Sequence, residues 1–244
     1  MLAVSVIVTA LIIIGVAGYQ EVYGQTLPVN NLEVKHSLEH DGQNGQFNLV
    51  KHLKNDLYVL YYVDSTSCFL KTFEVKNDTI TEKAVLQLST RCYIAGDIEI
   101  INQDKILVAY DGGAKLQTLT IADDGTITKL GTPQNAVVRG WPSILNMNDD
   151  VIVMAGIGSS RNNGHVTGYN YDSSTGVISN AGRPISFSQA TSMFAEVVDQ
   201  NTFVSVQEYR SGKIRSADVN QASKGLTAHT PNCLLYTSPS PRDS

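Results

Sequence analysis

Charge is sparse in this chain. Asp, Glu, Lys and Arg make up 17% of its 244 residues, no block of Lys or Arg occurs anywhere, and the formal net charge is -5. The basic footprint through which nucleic acids are held is therefore missing, and so is any basic patch for an anionic membrane surface. Cysteine is rarer still, with 3 residues, which excludes a disulfide-dense scaffold. Five histidines, His36, His40, His52, His165 and His229, include no HExxH pair and no spacing with cysteine that would hold zinc. Helical periodicity is absent. What the chain does have is Gly, Tyr, Thr, Val and Ile arranged as short apolar stretches between polar turns, the composition of strands and tight hairpins.

One long uncharged run stands apart. Leu2 to Tyr19, followed by the polar QEVYGQ, reads as an export signal with Val22 and Gly24 at the small-residue positions of a cleavage site, so residues 1–24 are expected to be a signal peptide. The run is also near the length of an N-terminal anchor, the one membrane association the chain would have. Residues 25–46 form a polar N-terminal segment, and the folded part is expected over 47–232.

Within that part the sequence repeats itself. Leu57–Tyr62, Ile106–Tyr110, Val151–Ala155 and Phe203–Val206 are apolar strands, each preceded by a shorter apolar stretch at Phe47, Ile98, Ser143 and Phe194. Each is followed by an alternating strand at Leu70–Val75, Leu116–Ile121, Val166–Tyr171 and Ile214–Val219. In the first three units a turn and a further strand follow, starting at Ile80, Ile127 and Ile178. The fourth unit lacks a visible outermost strand. Aligned on Leu57, Ile106, Val151 and Phe203, the units offer four strands in about 45–50 residues, the content of one propeller blade. The all-apolar strands are expected side by side in successive sheets near the inner part of the propeller, with Ile106, Val108, Val151 and Val153 buried.

The stretch from Phe47 to about Asn220 thus resembles the broad class of secreted β-propellers with degenerate repeats. That resemblance implies an all-β fold of at least four four-stranded blades. The last residues, Cys233 to Ser244, CLLYTSPSPRDS, are unlike all of this and resemble the in-frame translation of a sequencing-library adapter. They are expected to contribute no packing, and the natural chain is expected to continue with further blades.

Setting Cys233 aside leaves Cys68 and Cys92, a pair that an exported chain would bridge, or two buried or free thiols. Asn77-Asp78-Thr79 is a glycosylation acceptor pattern placed in a turn. GIGSSRNNG from Gly156 has no helix after it and is no phosphate cradle, but its length marks a recognition loop. No cofactor or metal motif is present. Asp123, Asp124 and Gly125 are those of a hairpin turn, without an EF-hand's spacing. Trp141, the single tryptophan, either packs between the second and third units or stands with Arg139, Tyr110 and Arg161 on a face that stacks on a sugar or a partner side chain.

Two functions are consistent with these residues. One is a non-catalytic extracellular or cell-surface module presenting loops to a glycan or protein. The other is a secreted propeller hydrolase or lyase whose catalytic groups come from several blades, with Glu196, Glu208, Tyr209 and Arg210 as the residues of interest. Two buried acids at the central opening would favour the enzyme, and a solvated or apolar opening the binding module.

Overall fold

A computed structural model describes Ser37 and residues 45–92, 95–148, 150–158, 162–190, 192–208, 213–220, 225–228 and 233–234. Residues 1–24, expected as a signal peptide, most of 25–46, and the tail beyond Leu234 lie outside the described residues. Among the described residues no helix is long and apolar enough to cross a membrane.

All described elements are strands. The first sheet holds β1 (Gly45–Lys54), β2 (Leu57–Asp64), β3 (Ser67–Lys76) and β4 (Thr79–Ser89), and the second β5 (Asp97–Asn102), β6 (Lys105–Tyr110), β7 (Lys115–Ile121) and β8 (Ile127–Asn135). The third holds β9 (Val138–Asn148), β10 (Val151–Gly158), β11 (Asn162–Tyr171), β12 (Ile178–Asn180) and β13 (Ile185–Ala190). The fourth holds β14 (Ser192–Val197), β15 (Thr202–Glu208), β16 (Lys213–Val219), β17 (Leu226–Ala228) and β18 (Cys233–Leu234). Every pairing is antiparallel and each sheet is an up-and-down meander in chain order, one propeller blade apiece. The first strand begins at Gly45, two residues before the expected boundary.

Turn chemistry fixes the hairpins. Asn77 and Asp78 both take positive φ (49° and 59°), the paired left-handed geometry of a two-residue hairpin, between β3 and β4. Their side chains are exposed, as the acceptor pattern requires. Between first and second strands the Oδ1 of Asn102 accepts the N–H of Asp104 and Lys105 at 2.9 Å each. Asp199 does the same for Asn201 and Thr202 at 2.8 and 2.9 Å.

Three apolar interfaces join the blades. Val59, Tyr61 and Leu70 meet Ile98, Ile106, Val108 and Leu119 between the first and second. Leu107 and Leu116 meet Ile144, Ile152 and Tyr169 between the second and third. Val151, Val153, Val166 and Phe187 meet Phe203 and Ala217 between the third and fourth. Polar staples accompany them: the Thr72 hydroxyl donates to the Gly125 carbonyl at 2.6 Å, and that of Thr118 to Gly176 at 2.8 Å, each reaching into the hairpin of the next blade. Lys54 crosses the same way, with Asp104 and, at 2.8 Å, Asp123 around its ammonium, and these carboxylates raise its pKa.

Two expectations change. Ile106, Val108, Val151 and Val153 are fully buried, and the all-apolar strands β2, β6, β10 and β15 lie in the inner part of their sheets, second in each. The strands that succeed one another around the axis are β1, β5, β9 and β14, since β1 packs on β5, β5 on β9, and β9 on β14. The reason is exposure: second strands have a sheet against each face, whereas first strands keep polar groups where they border the opening. The register slips by one. The equivalent bonds Val75 N–H to Asp56 O, Ile121 to Asp104, Tyr171 to Asp150 and Val219 to Asn201 make Leu57 the counterpart of Lys105, Val151 and Thr202, not of Ile106 and Phe203. With a two-residue period one step reverses the face, so Leu57 and Val151 point to the following blade while Ile106 and Phe203 point to the preceding one. Finally, the fourth sheet does have an outer strand, β17, and Cys233–Leu234 extend it beside β16. Cys233 opposite Ile214 occupies the register that Ile185 opposite Val166 occupies in the third sheet. An open edge offers backbone groups to any extended segment, whatever its side chains.

Candidate functional site

The starts of β1, β5, β9 and β14 and the connections between second and third strands all fall at one end of the blades, and Tyr110, Arg139, Trp141 and Glu208 belong to this end. Arg139 and Trp141 lie on β9, exposed while Val138, Gly140 and Pro142 between and beside them are buried, so both occupy the open side of the strand. Trp141 is 44% exposed and is not wedged between blades. Its ring meets that of Phe47 from β1, 5.8 Å between centroids at 80°, an edge-to-face contact. Since β5 packs between β1 and β9, the two rings bridge the first and third blades across the start of β5.

Both aromatics sit on unusual backbone. Phe47 has φ 53° and Trp141 φ 47°, and each lies where its strand's register shifts, between Gln46 and Leu49 on β1 and opposite Ala155–Ile157 on β9. Left-handed φ costs a bulky side chain about 1–2 kcal/mol. Bulges re-aim side chains, and here they turn two large apolar rings toward solvent.

Tyr110 does not join them. It is 4% exposed, packed in the interface between the first two blades, and burial raises its pKa. As the last residue of an all-apolar strand it fills the core, so it offers no ring to a ligand. Glu208 pairs with Ser192 on the ladder at the end of β15; Arg161, Tyr209 and Arg210 lie outside the described residues. Glu196 is exposed on β14.

Below the aromatic pair are acids that the sequence reading passed over. Asp97 and Glu99 are two apart on β5 and so share a face. Asp97 Oδ1 accepts the N–H of Ile98 at 2.9 Å and Oδ2 that of Ile144 on β9 at 2.7 Å. Burial pushes its pKa up to about 6 against the pull of those bonds. Burial also raises Glu99, offset in part by Lys51 of β1, whose Nζ lies 3.8 Å from Oε2. The signal was present in GDIEI: two acids at period two in an otherwise apolar strand.

Asp97 gives a pH prediction. Its folded pKa lies above the roughly 3.9 of an unfolded chain, so between about pH 4 and 6 the folded state binds the extra proton, and Asp97's contribution to stability falls as pH rises through that window. Urea titrations of wild type and Asp97→Asn from pH 4 to 7 are expected to favour the variant most at pH 7. A constant difference across the range would contradict the burial of this carboxyl.

Cys68 on β3 and Cys92, in the connection to the second blade, are fully buried and joined, with sulfurs 2.01 Å apart across 24 residues. His52 contacts the Asn55 carbonyl at 2.7 Å, and His165 the Ser186 hydroxyl at 3.3 Å. His36 and His40, like His229, lie outside the described residues. Among the described residues no three His, Cys, Asp or Glu side chains gather as a metal-binding group.

No protein-family model matches the chain, and no curated protein is similar to it in sequence. Solved structures are similar in fold. A Lactobacillus plantarum protein superposes with TM-score 0.56 at 11% identity over 76% of this chain and 55% of its own. A candidate 6-phosphogluconolactonase of Bacteroides fragilis gives 0.54 at 11% identity over 77% and 67%. A functionally unknown protein of Desulfotomaculum acetoxidans gives 0.50 at 12% over 72% and 52%. The chain thus spans about half to two thirds of these proteins. At such identities the likeness establishes the β-propeller fold and nothing finer.

Proposed function

We propose that this chain is a non-catalytic, exported binding module that presents the end of the blades bearing Trp141 to a glycan. The observation that carries the reading is the Trp141–Phe47 pair: an indole held outward on left-handed backbone and braced at its edge by a second ring. Exposed aromatic faces stack on the C–H faces of sugars, and strain concentrates where a fold keeps a side chain for a task other than packing. The acids beneath are committed elsewhere, Asp97 to two backbone N–H groups and Glu99 to the side of Lys51.

Screening the full chain on a glycan array, with calorimetry on the strongest binder, tests this reading. Trp141→Gly is expected to weaken that binding at least tenfold. Its stability is expected to stay within about 1 kcal/mol of wild type, because relief of about 1–2 kcal/mol of strain offsets the lost ring contact of about 0.5–1.5 kcal/mol. An array without binders, or a variant that binds as well as wild type, sinks the proposal.

A second reading, hydrolysis of a sugar ester or lactone, draws on one observation: Asp97 and Glu99 stand together at the opening with raised pKa values. The Bacteroides fragilis structure named above lends it a substrate class. Lactone turnover by the full chain, lost in both Asp97→Asn and Glu99→Gln, would replace the binding reading with this one.

A further inference from the structure

We propose that the sugar taken by this site carries a carboxylate, a uronic acid unit, with its ring on Trp141 and its carboxylate held by Arg139. The inference rests on the glycan reading and narrows it to a ligand class. Arg139 and Trp141 are alternate residues on the open side of β9, and alternate residues of a strand lie about 7 Å apart. One pyranose ring and its exocyclic carboxylate span that distance, so a sugar stacked on the indole brings its charge to the guanidinium.

The cation is free for the task. Lys51, Lys54, Lys71 and Lys83 each have a carboxylate within 4 Å, whereas among the described residues Arg139, like Lys76, Arg91 and Lys129, has no ion-pair partner; what sets Arg139 apart is its place beside Trp141 on the open side of β9. A guanidinium presents a planar fork that matches a carboxylate with two parallel hydrogen bonds, which an ammonium does not. The neighbouring acids do not compete for it. Asp97 turns both oxygens to backbone N–H groups, and Glu99 faces Lys51. A neutral sugar would leave the guanidinium without a counterpart, so the carboxylate sets the preference.

The test compares oligogalacturonate, oligomannuronate and glucuronate-bearing oligosaccharides with their carboxyl-reduced counterparts, using calorimetry on the full chain. The expected result is at least tenfold tighter binding of one acidic series than of its reduced form, weakening with added salt. Arg139→Gln is expected to abolish that preference while retaining binding to the reduced sugar, and Arg139→Lys to restore it only in part. Trp141→Asn, whose side chain tolerates the left-handed backbone, is expected to lose both sugars. Equal affinity for acidic and reduced sugars would overturn the carboxylate inference and leave the glycan reading standing. Absence of binding to either series would overturn the inference, with the array then deciding the wider reading separately. An unchanged preference in Arg139→Gln would remove Arg139 from the site.

Discussion

Gly96→Ala is expected to cost about 3 kcal/mol, the upper part of the range for overpacking, and to lower the melting temperature by roughly 6–12 °C for a chain of this size. A Cβ at this position would lie 2.5 Å from Tyr61 Cζ and closer still to the Ala109 carbonyl oxygen. Neither neighbour can yield. Tyr61 is fully buried, and Ala109 is held on the ladder opposite Asp97. The strain therefore passes along the backbone to Asp97, whose carboxylate depends on position to reach the Ile144 N–H. Thermal melts measure the first effect, and a carbon-13 titration of the Asp97 carboxyl the second, with its midpoint moving up from near 6 because the Ile144 N–H that pulls it down is lost. A variant melting with wild type would mean that the β4–β5 connection has room the structure denies it.

Replacing Cys68 and Cys92 together by alanine is expected to be as damaging, about 3 kcal/mol from the entropy regained by the unfolded chain when a loop of this length is opened, again about 6–12 °C. Both sulfurs are buried, so a reductant should act on the native protein slowly and on the unfolded protein at once. Wild type refolded under reducing conditions should melt with the double variant. If oxidised wild type and the variant melt together, the bridge contributes nothing and the two residues behave as packed thiols. The link fastens β3 to the segment that leads into β5. Its loss should therefore loosen the junction of the first two blades, and with it the strand that carries Asp97 and Glu99.

The strands were legible because burial on two faces leaves an unbroken apolar run, as in Leu57 to Val63 and Val151 to Gly156. Which strand borders the axis was not, because hydrophobicity reports how much of a strand is covered and not which neighbour covers it. The polar turn residues carried the correct register. Aligning the units on their Asx turns instead of their first large apolar residue would have made Lys105 and Thr202 the counterparts of Leu57.

The site was legible in part. Arg139 and Trp141 were named together and stand together, while Tyr110, equally aromatic, proved to be core. No rule of composition separates two aromatics by exposure when one owes its orientation to a bulge and a positive φ that its own side chain disfavours. Phe47 appeared only as the start of an apolar stretch, because its role depends on a contact with a residue 94 positions away in sequence, at 5.8 Å in space.

Each sheet is complete in the chain before the next begins, and the apolar contacts between sheets run from one to its successor. During synthesis, then, no blade must wait for a distant segment to supply a missing strand. The first can close its hairpins as it leaves the ribosome, and each later one is laid against a surface already formed. Local connectivity of this kind favours fast, stepwise folding. It also means that a destabilised blade would expose its predecessor's apolar face before its own strands had paired, so defects early in the sequence should be met by chaperones later in synthesis than where they occur.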